Sequence, residues 1–516
     1  MMKANITGLI GIAIGCVFLF SCQNRDNDNQ NQKPNIIIIY LDDLGYGDLS
    51  CYGATSVKTP HVDKLAEGGI RFTDAHCSAA TCTPSRYSLL TGSYAFRNKA
   101  AILPGDAPLL IRPGTPTIAE MFQKAGYKTG VIGKWHLGLG DGVPDWNGLL
   151  RPGPLEIGFD YAFIIPATLD RVPTVYVENN KVPNLDPKDP IVVDYTKKVG
   201  NWPTGLERPD MLKFGADTQH SNTITDSISR IGFMTGGKAA LWKDQEIPFV
   251  FINKVDSFIT KNKSTPFFLY FSFTDIHVPR DPNPQFKGAT PMGTRGDAIV
   301  QMDWSVGQLM NILNKQGLTE NTIIVFTSDN GPVLDDGYYD DAENLVGTHD
   351  PSGGFRGGKY SAYEAGTRMP TIIYWKGKIK SFVSNAMISQ IDFYASFADL
   401  VGHDLQTNEA PDSYNMIDVL LGKSVKGRNE LLEESFTMSL RQDYWKYIAP
   451  QNEPTPQWLN NKKNETGLDI NRQLYNLKTD PKEQKNIADN NTNLVMEMQQ
   501  RLDRILLNPT RKGYNK

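Results

Sequence analysis

Cysteine is scarce in this chain. The 516 residues hold five, at positions 16, 22, 51, 77 and 82, which makes no disulfide framework. An excess of one charge is also missing. Lys and Arg number 53 and Asp and Glu 57, for a net charge of -4, so nothing argues for a nucleic-acid partner. Only residues 6–20 form an apolar run, and that run is short of the ~20 residues a membrane span needs. No internal repeat is visible. What is present, 40% hydrophobic and 21% charged residues, is ordinary globular composition. At this length one large domain with a smaller one is expected.

The N-terminus reads as an export signal. Lys3 opens it, residues 6–20 are nearly all apolar or Gly, and Leu19-Phe20-Ser21-Cys22 closes it. Residues 1–21 fit a secretory signal peptide. The ending resembles a bacterial lipobox, in which Cys22 is lipidated and becomes the first mature residue; Phe20 stands where a small or aliphatic residue is usual. The plainer alternative is a cleaved signal with Cys22 incidental. Residues 22–33, rich in Asn, Gln and Asp, read as a disordered tether. Of the remaining cysteines, Cys51 and Cys77 could pair in an exported protein or stay as buried thiols.

Residues 35–41, Asn-Ile-Ile-Ile-Ile-Tyr-Leu, suit a central strand buried on both faces. Asp42-Asp43 stands at its C-terminal end, where open α/β sheets place their sites. Short helices are expected at 62–68 and 117–125. Strands at 129–132, 267–273 and 322–327 each run into polar residues: Lys134 and His136, Asp275 and His277, Asp329 and Asn330. This alternation predicts a doubly wound α/β sheet. The Pro- and Gly-punctuated stretch 140–266 reads as pocket-shaping loops. After about Gly422 the character changes: residues 440–447 and 474–477 read as strands of a small antiparallel sheet, and 493–507 as a terminal helix.

The most specific string is Cys82-Thr83-Pro84-Ser85-Arg86 followed by Leu90-Thr91-Gly92. Pro84 suits an early helical turn, and Arg86 would lie one turn from Cys82. Elsewhere stand Gly133-Lys134-Trp135-His136, Thr274-Asp275-Ile276-His277, Ser328-Asp329-Asn330-Gly331, and Arg356-Gly357-Gly358-Lys359 before Glu364-Ala365-Gly366-Thr367-Arg368. Each alone would pass as a turn or a surface loop. Together, and in this order, they resemble the motifs of the type I, formylglycine-dependent sulfatases. The likeness extends to Leu474-Tyr475-Asn476-Leu477 with Asp480-Pro481 and Glu483, and no core catalytic position is missing. Ala365 replaces the usual Gly of the late motif.

The resemblance implies an alkaline-phosphatase-like fold: a doubly wound mixed sheet sandwiched by helices over residues 34–422. A smaller α+β subdomain, an antiparallel sheet plus a terminal helix, would cover 423–516. It implies that Cys82 is converted by a maturation enzyme to formylglycine, whose hydrate attacks sulfur. Thiolate attack would instead leave a dead-end adduct. Arg86 would steady the diol, Lys134 clamp diol and sulfate, and His136 act as the base that releases sulfate. His277 would protonate the bridging oxygen, and Lys359 would bind sulfate. Asp42, Asp43, Asp329 and Asn330, completed by the oxygen at residue 82, would hold a metal. That all-oxygen set suits Ca²⁺, with Mg²⁺ second. Arg356, Glu364 and Arg368 read as structural ion pairs, and His61, His76 and His403 as structural histidines.

Sugar recognition must come from loops. Asp170, Arg171, His220, His349 and Asp350 are the candidates. Phe286-Lys287-Gly288 with Gly296-Asp297-Ala298 and Asp303 looks like the part of the family that includes the N-acetylgalactosamine-6-sulfatases. This favours a 6-O-sulfated galactose or N-acetylgalactosamine at the end of a mucin or glycosaminoglycan chain. The enzyme would be exported to the periplasm or cell surface and held at the outer membrane by lipid alone. Three other readings stay open: a phosphonate or phosphate ester hydrolase of the same superfamily, a dead glycan-binding lipoprotein, and a structural envelope protein.

Overall fold

The computed structural model describes residues 1, 33–462 and 464–508. The signal segment after Met1, Cys22 and all but the last tether residue lie outside this range. The described residues from Pro34 onward form one compact unit.

The strand Asn35–Leu41 is buried at every position. Its alternate residues enter two different cores. Ile36, Ile38 and Tyr40 pack on one face with the helices Ile118–Lys124 and Phe393–Val401. Ile37, Ile39 and Leu41 pack on the other with Ile247–Asn262 and Gly293–Lys315. A strand covered on both sides has no use for a polar face, which is why the run is continuous.

This strand is fifth in a nine-stranded sheet. From one edge the order is Phe382–Ser384, Gly69–Phe72, Thr371–Tyr374, Thr322–Ser328, Asn35–Leu41, Phe267–Ser272, Lys128–Lys134, Tyr161–Ile165 and Val177–Glu178. The run from Thr322–Ser328 to Tyr161–Ile165 is parallel throughout, with Ile38 beside Tyr270 and Val325. Thr371–Tyr374 and Val177–Glu178 run antiparallel to their neighbours, so the sheet is mixed. A separate antiparallel sheet holds Glu430–Glu434, Met438–Gln442, Trp445–Ile448 and Gln473–Asn476, with the helix Thr492–Leu507 packed on it. The fold is the expected α/β sandwich with a small C-terminal sheet.

Differences from the expectation have local causes. The stretch 140–266 is not all loop: it carries Tyr161–Ile165 and the 16-residue helix Ile247–Asn262, whose Pro248 sits in the first turn, where proline is tolerated. The 23-residue helix Gly293–Lys315 buries residues around most of its circumference, so it lacks the one-sided stripe that marks a surface helix. Residues 440–447 break into two strands at Asp443 and Tyr444. Cys51 and Cys77 are both free thiols. Cys77 is buried with its thiol against the Ala79 carbonyl, and burial followed by Asp63 pushes the Cys51 thiol up to about 12. His76 lies between Asp74 and Glu433, and His403 on Glu409; both are structural. Among the described residues no helix is long and apolar enough to cross a membrane.

Candidate active site

The loops at the C-terminal ends of four neighbouring parallel strands meet at one point. Backbone bonds stitch them together: Asp42 N–H donates to Asp275 O, Ile276 N–H to Asp42 O, and Asp329 N–H to Leu41 O. Asp43 takes a left-handed φ of 61°. That reversal lets its carboxylate and that of Asp42 converge, which an extended pair could not do. Asp43 Oδ1 accepts from Asn330 Nδ2 at 2.7 Å, and Asp329 Oδ1 accepts from the Asp43 amide at 3.3 Å. The four oxygen-bearing side chains expected to hold metal are therefore together and buried.

Three cations interleave with these acids. Lys134 Nζ reaches Asp42 Oδ2 at 2.7 Å and Lys359 Nζ reaches Asp43 Oδ2 at 2.9 Å. Arg86 clamps Asp329 Oδ2 through Nη2 at 2.6 Å and Nε at 3.0 Å, and also donates to Ser272 Oγ. The guanidinium thus acts on Asp329, one helical turn below residue 82, instead of facing the cavity. Lys134 needs Gly133 before it: a Cβ there would lie 1.7 Å from the Ser272 carbonyl oxygen, and φ is +114°.

The donor set fits a hard divalent cation. Its atoms are all oxygen. Asp42 Oδ1 and Asn330 Oδ1 are buried with no hydrogen-bond partner among the described residues, an arrangement that normally calls for one. Burial pushes the Asp42 carboxyl well above its usual range; Lys134 opposes this, and Asp329 and Asp43 add to it. His277 Nε2 lies 3.8 Å from Asp43 Oδ2. It brings a nitrogen to the same point as Asp42 and Asp43, a neighbour the all-oxygen reading left out.

Cys82 is the first residue of the helix Cys82–Thr91, all ten of whose residues are buried. Burial raises its thiol pKa, against the pull of Lys134 and Lys359, so the unmodified residue is a protonated, poor nucleophile. His136 Nδ1 stands 3.2 Å from Cys82 Sγ. Its Nε2 lies 2.9 Å from the Leu103 carbonyl, which can only accept. The proton therefore sits on Nε2, and Nδ1 offers a lone pair to residue 82. Burial, then Lys134, depress the His136 pKa and keep it neutral. His136 reaches this place through a left-handed φ of 53°. His277 Nδ1 donates to Val278 O at 2.6 Å, leaving Nε2 inward; burial, Lys359 and Lys134 hold its pKa down.

Above residue 82 opens a cavity of about 260 Å³. Cys82, His277 and Lys359 line it, as do Asp170, Arg171 and His220. Arg171 Nη1 bonds both oxygens of Asp170 at 2.8 and 2.9 Å. His220 Nδ1 lies 2.6 Å from Asp217 Oδ1, with Nε2 3.5 Å from Asp170 Oδ2. Burial works against the charged imidazole, but the bonds to Asp170 and Asp217 outweigh it and raise its pKa.

His349 and Asp350 do not line this cavity. His349 Nε2 is bound to Asp48 Oδ1 at 2.9 Å, beside Arg295 on the same carboxylate. Asp350 accepts from Ser352, Ser352 N–H and Gly354 N–H in an exposed turn. Asp297 and Asp303 likewise serve the fold: they accept backbone N–H groups of Gly288 and Thr290, and of His61 and Val62. The stretch that carried the sugar-specific likeness therefore lines no part of this cavity. Arg368 pairs with Glu364 at 2.7 Å and Arg356 with Glu465, structural as expected.

Sequence reasoning missed Asp336, Tyr195, Trp458 and Lys462, which also line the cavity. Asp336 Oδ2 accepts from Lys359 Nζ at 2.9 Å and from the Tyr360 hydroxyl at 3.1 Å. Burial opposes its charge, but Lys359 and Lys462 hold its carboxyl well below the usual range. Only the Asp335-Asp336-Gly337 turn, soon after Asp329-Asn330, could have hinted at it.

The sulfatase family pattern matches residues 34–403. The chain belongs to the sulfatase family. It is a sulfuric ester hydrolase, and sulfatases generally use a formylglycine and a divalent metal. It is 49% identical over 508 residues to an N-acetylgalactosamine-6-O-sulfatase of Bacteroides thetaiotaomicron, covering 97% of this chain and 99% of that one. It is 32% identical to the steryl-sulfatase of Rattus norvegicus, over 77% of this chain and 72% of that one. A solved Bacteroides thetaiotaomicron 6S-sulfatase, from work on the metabolism of multiple glycosaminoglycans, superposes with a TM-score of 0.90 at 50% identity, over 92% of this sulfatase and 99% of that chain. The phosphonate monoester hydrolase of Agrobacterium radiobacter shares the fold alone, with a TM-score of 0.54 at 16% identity over 91% and 95% of the two chains.

Proposed function

We propose that this sulfatase is a carbohydrate sulfatase that removes a 6-O-sulfate from N-acetylgalactosamine or galactose at the end of a glycosaminoglycan or mucin-type chain. The observation that carries the reading is the cavity itself. Residue 82, His277 and Lys359 line it together with Asp170, Arg171 and His220, a polar set that would bind sugar hydroxyls. The N-acetylgalactosamine-6-O-sulfatase at 49% identity supports the choice of sugar.

Residue 82, as formylglycine, would supply a hydroxyl nucleophile for sulfur and a route to free sulfate. His136, with its lone pair on Nδ1 facing residue 82, takes the proton that such a hydroxyl must lose. Lys359, which lines the cavity, and Lys134, held on Asp42, are two buried ammonium groups that would offset negative charge on the sulfate oxygens. Arg86 holds Asp329 in place for the metal. His277 would present Nε2 to the bridging oxygen; with Nδ1–H held by the Val278 carbonyl, it donates a proton to the leaving sugar only as the imidazolium, a form that the negative charge of a bound sulfate would favour against burial, Lys359 and Lys134. Asp42, Asp43, Asp329 and Asn330 would hold Ca²⁺ in preference to Mg²⁺, because three carboxylates and an amide suit the larger, flexibly coordinated ion. The bound ion would polarise the sulfate and favour the ionised nucleophile.

A maturation enzyme would convert Cys82. Residues 1–21 would direct export, Cys22 would carry the lipid that anchors the enzyme at the outer membrane, and 22–33 would tether it. Residues 34–422 would form the catalytic unit and 423–516 the subdomain. Sulfate, phosphate and phosphonate esters of one sugar, assayed side by side, test the reading. Hydrolysis of the sulfate ester alone, lost in Cys82→Ala with sugar binding retained, is expected. Preferential phosphonate hydrolysis would replace it.

A further inference from the structure

The family pattern ends at residue 403, yet the cavity wall does not. The short turn Gln457–Asn461 and the residue after it bring Trp458 and Lys462 to the wall that holds Cys82, His277 and Lys359. Lys462 fixes this segment at two points. Its Nζ lies 3.4 Å from Asp336 Oδ1 and 3.7 Å from Asp217 Oδ2. Asp336 is the partner of Lys359 and Asp217 the partner of His220. One lysine thus ties the segment to the sulfate end and to the polar wall.

Trp458 is half-buried, and the next residue, Leu459, is 2% exposed, which roots the turn in the protein. Tyr360 meets the indole at 5.1 Å and 71°, and Phe436 at 6.0 Å and 66°. Both contacts are edge-on, so neither ring lies parallel over the indole. The ring is braced and lines a cavity that combines charged residues such as Asp170, Arg171 and Lys359 with apolar ones such as Ile102, Leu103 and Ile231. A pyranose has one apolar C–H face and a polar rim, which is what a flat aromatic surface in the same cavity as Asp170, Arg171 and His220 would receive. The volume of about 260 Å³ falls below the ~300–1,000 Å³ of drug-sized pockets, so the ring that meets Trp458 is the one bearing the sulfate.

We propose that Trp458 is a specificity-determining residue, an aromatic platform on which the apolar face of the sulfated sugar ring stacks. This rests on the carbohydrate reading above. The platform contributes to binding the ring and not to holding sulfate or to the reacting bonds.

The test compares the wild type, Trp458→Ala and Trp458→Phe as full-length enzymes with residue 82 converted to the same extent. Sulfate release from N-acetylgalactosamine 6-sulfate gives KM and kcat. Inhibition by inorganic sulfate, which has no ring to stack, gives the affinity of the sulfate end alone. Trp458→Ala should raise KM about tenfold or more with kcat within about threefold. Its inhibition constant for sulfate should stay within about twofold, and Trp458→Phe should recover most of the KM. An unchanged KM, or a sulfate constant that weakens by the same factor, overturns the platform while leaving the carbohydrate reading intact. A wild type that releases no sulfate from any sugar overturns the carbohydrate reading and the platform with it.

Discussion

His277→Ala tests the proton donor proposed for the leaving sugar. In the structure Nδ1 is committed to the Val278 carbonyl at 2.6 Å, so only Nε2 can serve the substrate, and it carries a proton to give only when the imidazole is charged. Nε2 lies 3.8 Å from Asp43 Oδ2 and lines the cavity above residue 82. A sugar alcohol ionises near the water value of about 15.7, so it leaves poorly as an alkoxide. A phenol ionises near the tyrosine value of about 10 and leaves with little help. A positioned proton donor contributes about 10²–10⁴-fold, roughly 3–5 kcal/mol of barrier. The variant should therefore lose about 10²–10⁴ in kcat/KM on a 6-O-sulfated sugar. On an aryl sulfate of a phenol with a good leaving tendency the loss should be about tenfold or less. Free sulfate measured by ion chromatography reads both. Equal losses on the two substrates would refute the assignment, because a residue that only shapes the pocket has no reason to sense the leaving group.

Other perturbations follow from the same geometry. Arg86→Met leaves the buried Asp329 carboxylate without its guanidinium and should cost about 3–5 kcal/mol of stability, seen as a drop of several degrees in Tm; an unchanged Tm contradicts the clamp. Burial raises the Glu434 carboxyl from 4.5 to about 8. The folded state then holds a proton that the unfolded chain has released, so stability falls as pH rises from about 4.5 to about 8. The ceiling is about 5 kcal/mol, which the partial exposure of the side chain cuts to about 2. Glu434→Gln should flatten that fall, and parallel melting curves across pH for the two proteins would contradict it. Chelation should abolish turnover and lower Tm, with Ca²⁺ restoring both better than Mg²⁺; full activity after exhaustive chelation would remove the metal from the site.

The centre of the site was legible because it is built at strand ends. Buried runs such as 35–41 and 322–328 announce themselves by composition, and polar residues just after them have few other reasons to be there. The approach geometry was not legible. Asp43 and His136 reach the centre through left-handed backbone, which spacing rules for strands do not anticipate. Arg86 was legible as part of a motif but not as the partner of Asp329, 243 residues away. The wall of the cavity was least visible. His349-Asp350 looks like a site in sequence, yet Asp48, far away in the chain, takes the histidine for the fold. Trp458 and Lys462 belong to no motif and are brought in by the C-terminal region. The helices Ile247–Asn262 and Gly293–Lys315 were hidden by Pro248 and by Gly296 and Gly307, the last of which packs against the His61 ring.

The most direct test of the account is free sulfate released, with Ca²⁺ present and conversion of Cys82 verified by mass, from 3-, 4- and 6-O-sulfated galactose, N-acetylgalactosamine and N-acetylglucosamine. The account predicts release from the 6-O-sulfate of N-acetylgalactosamine or galactose and little from the 3- and 4-O-isomers. Fully converted enzyme that releases sulfate from none of these sugars, or only from a 3- or 4-O-position, would contradict it.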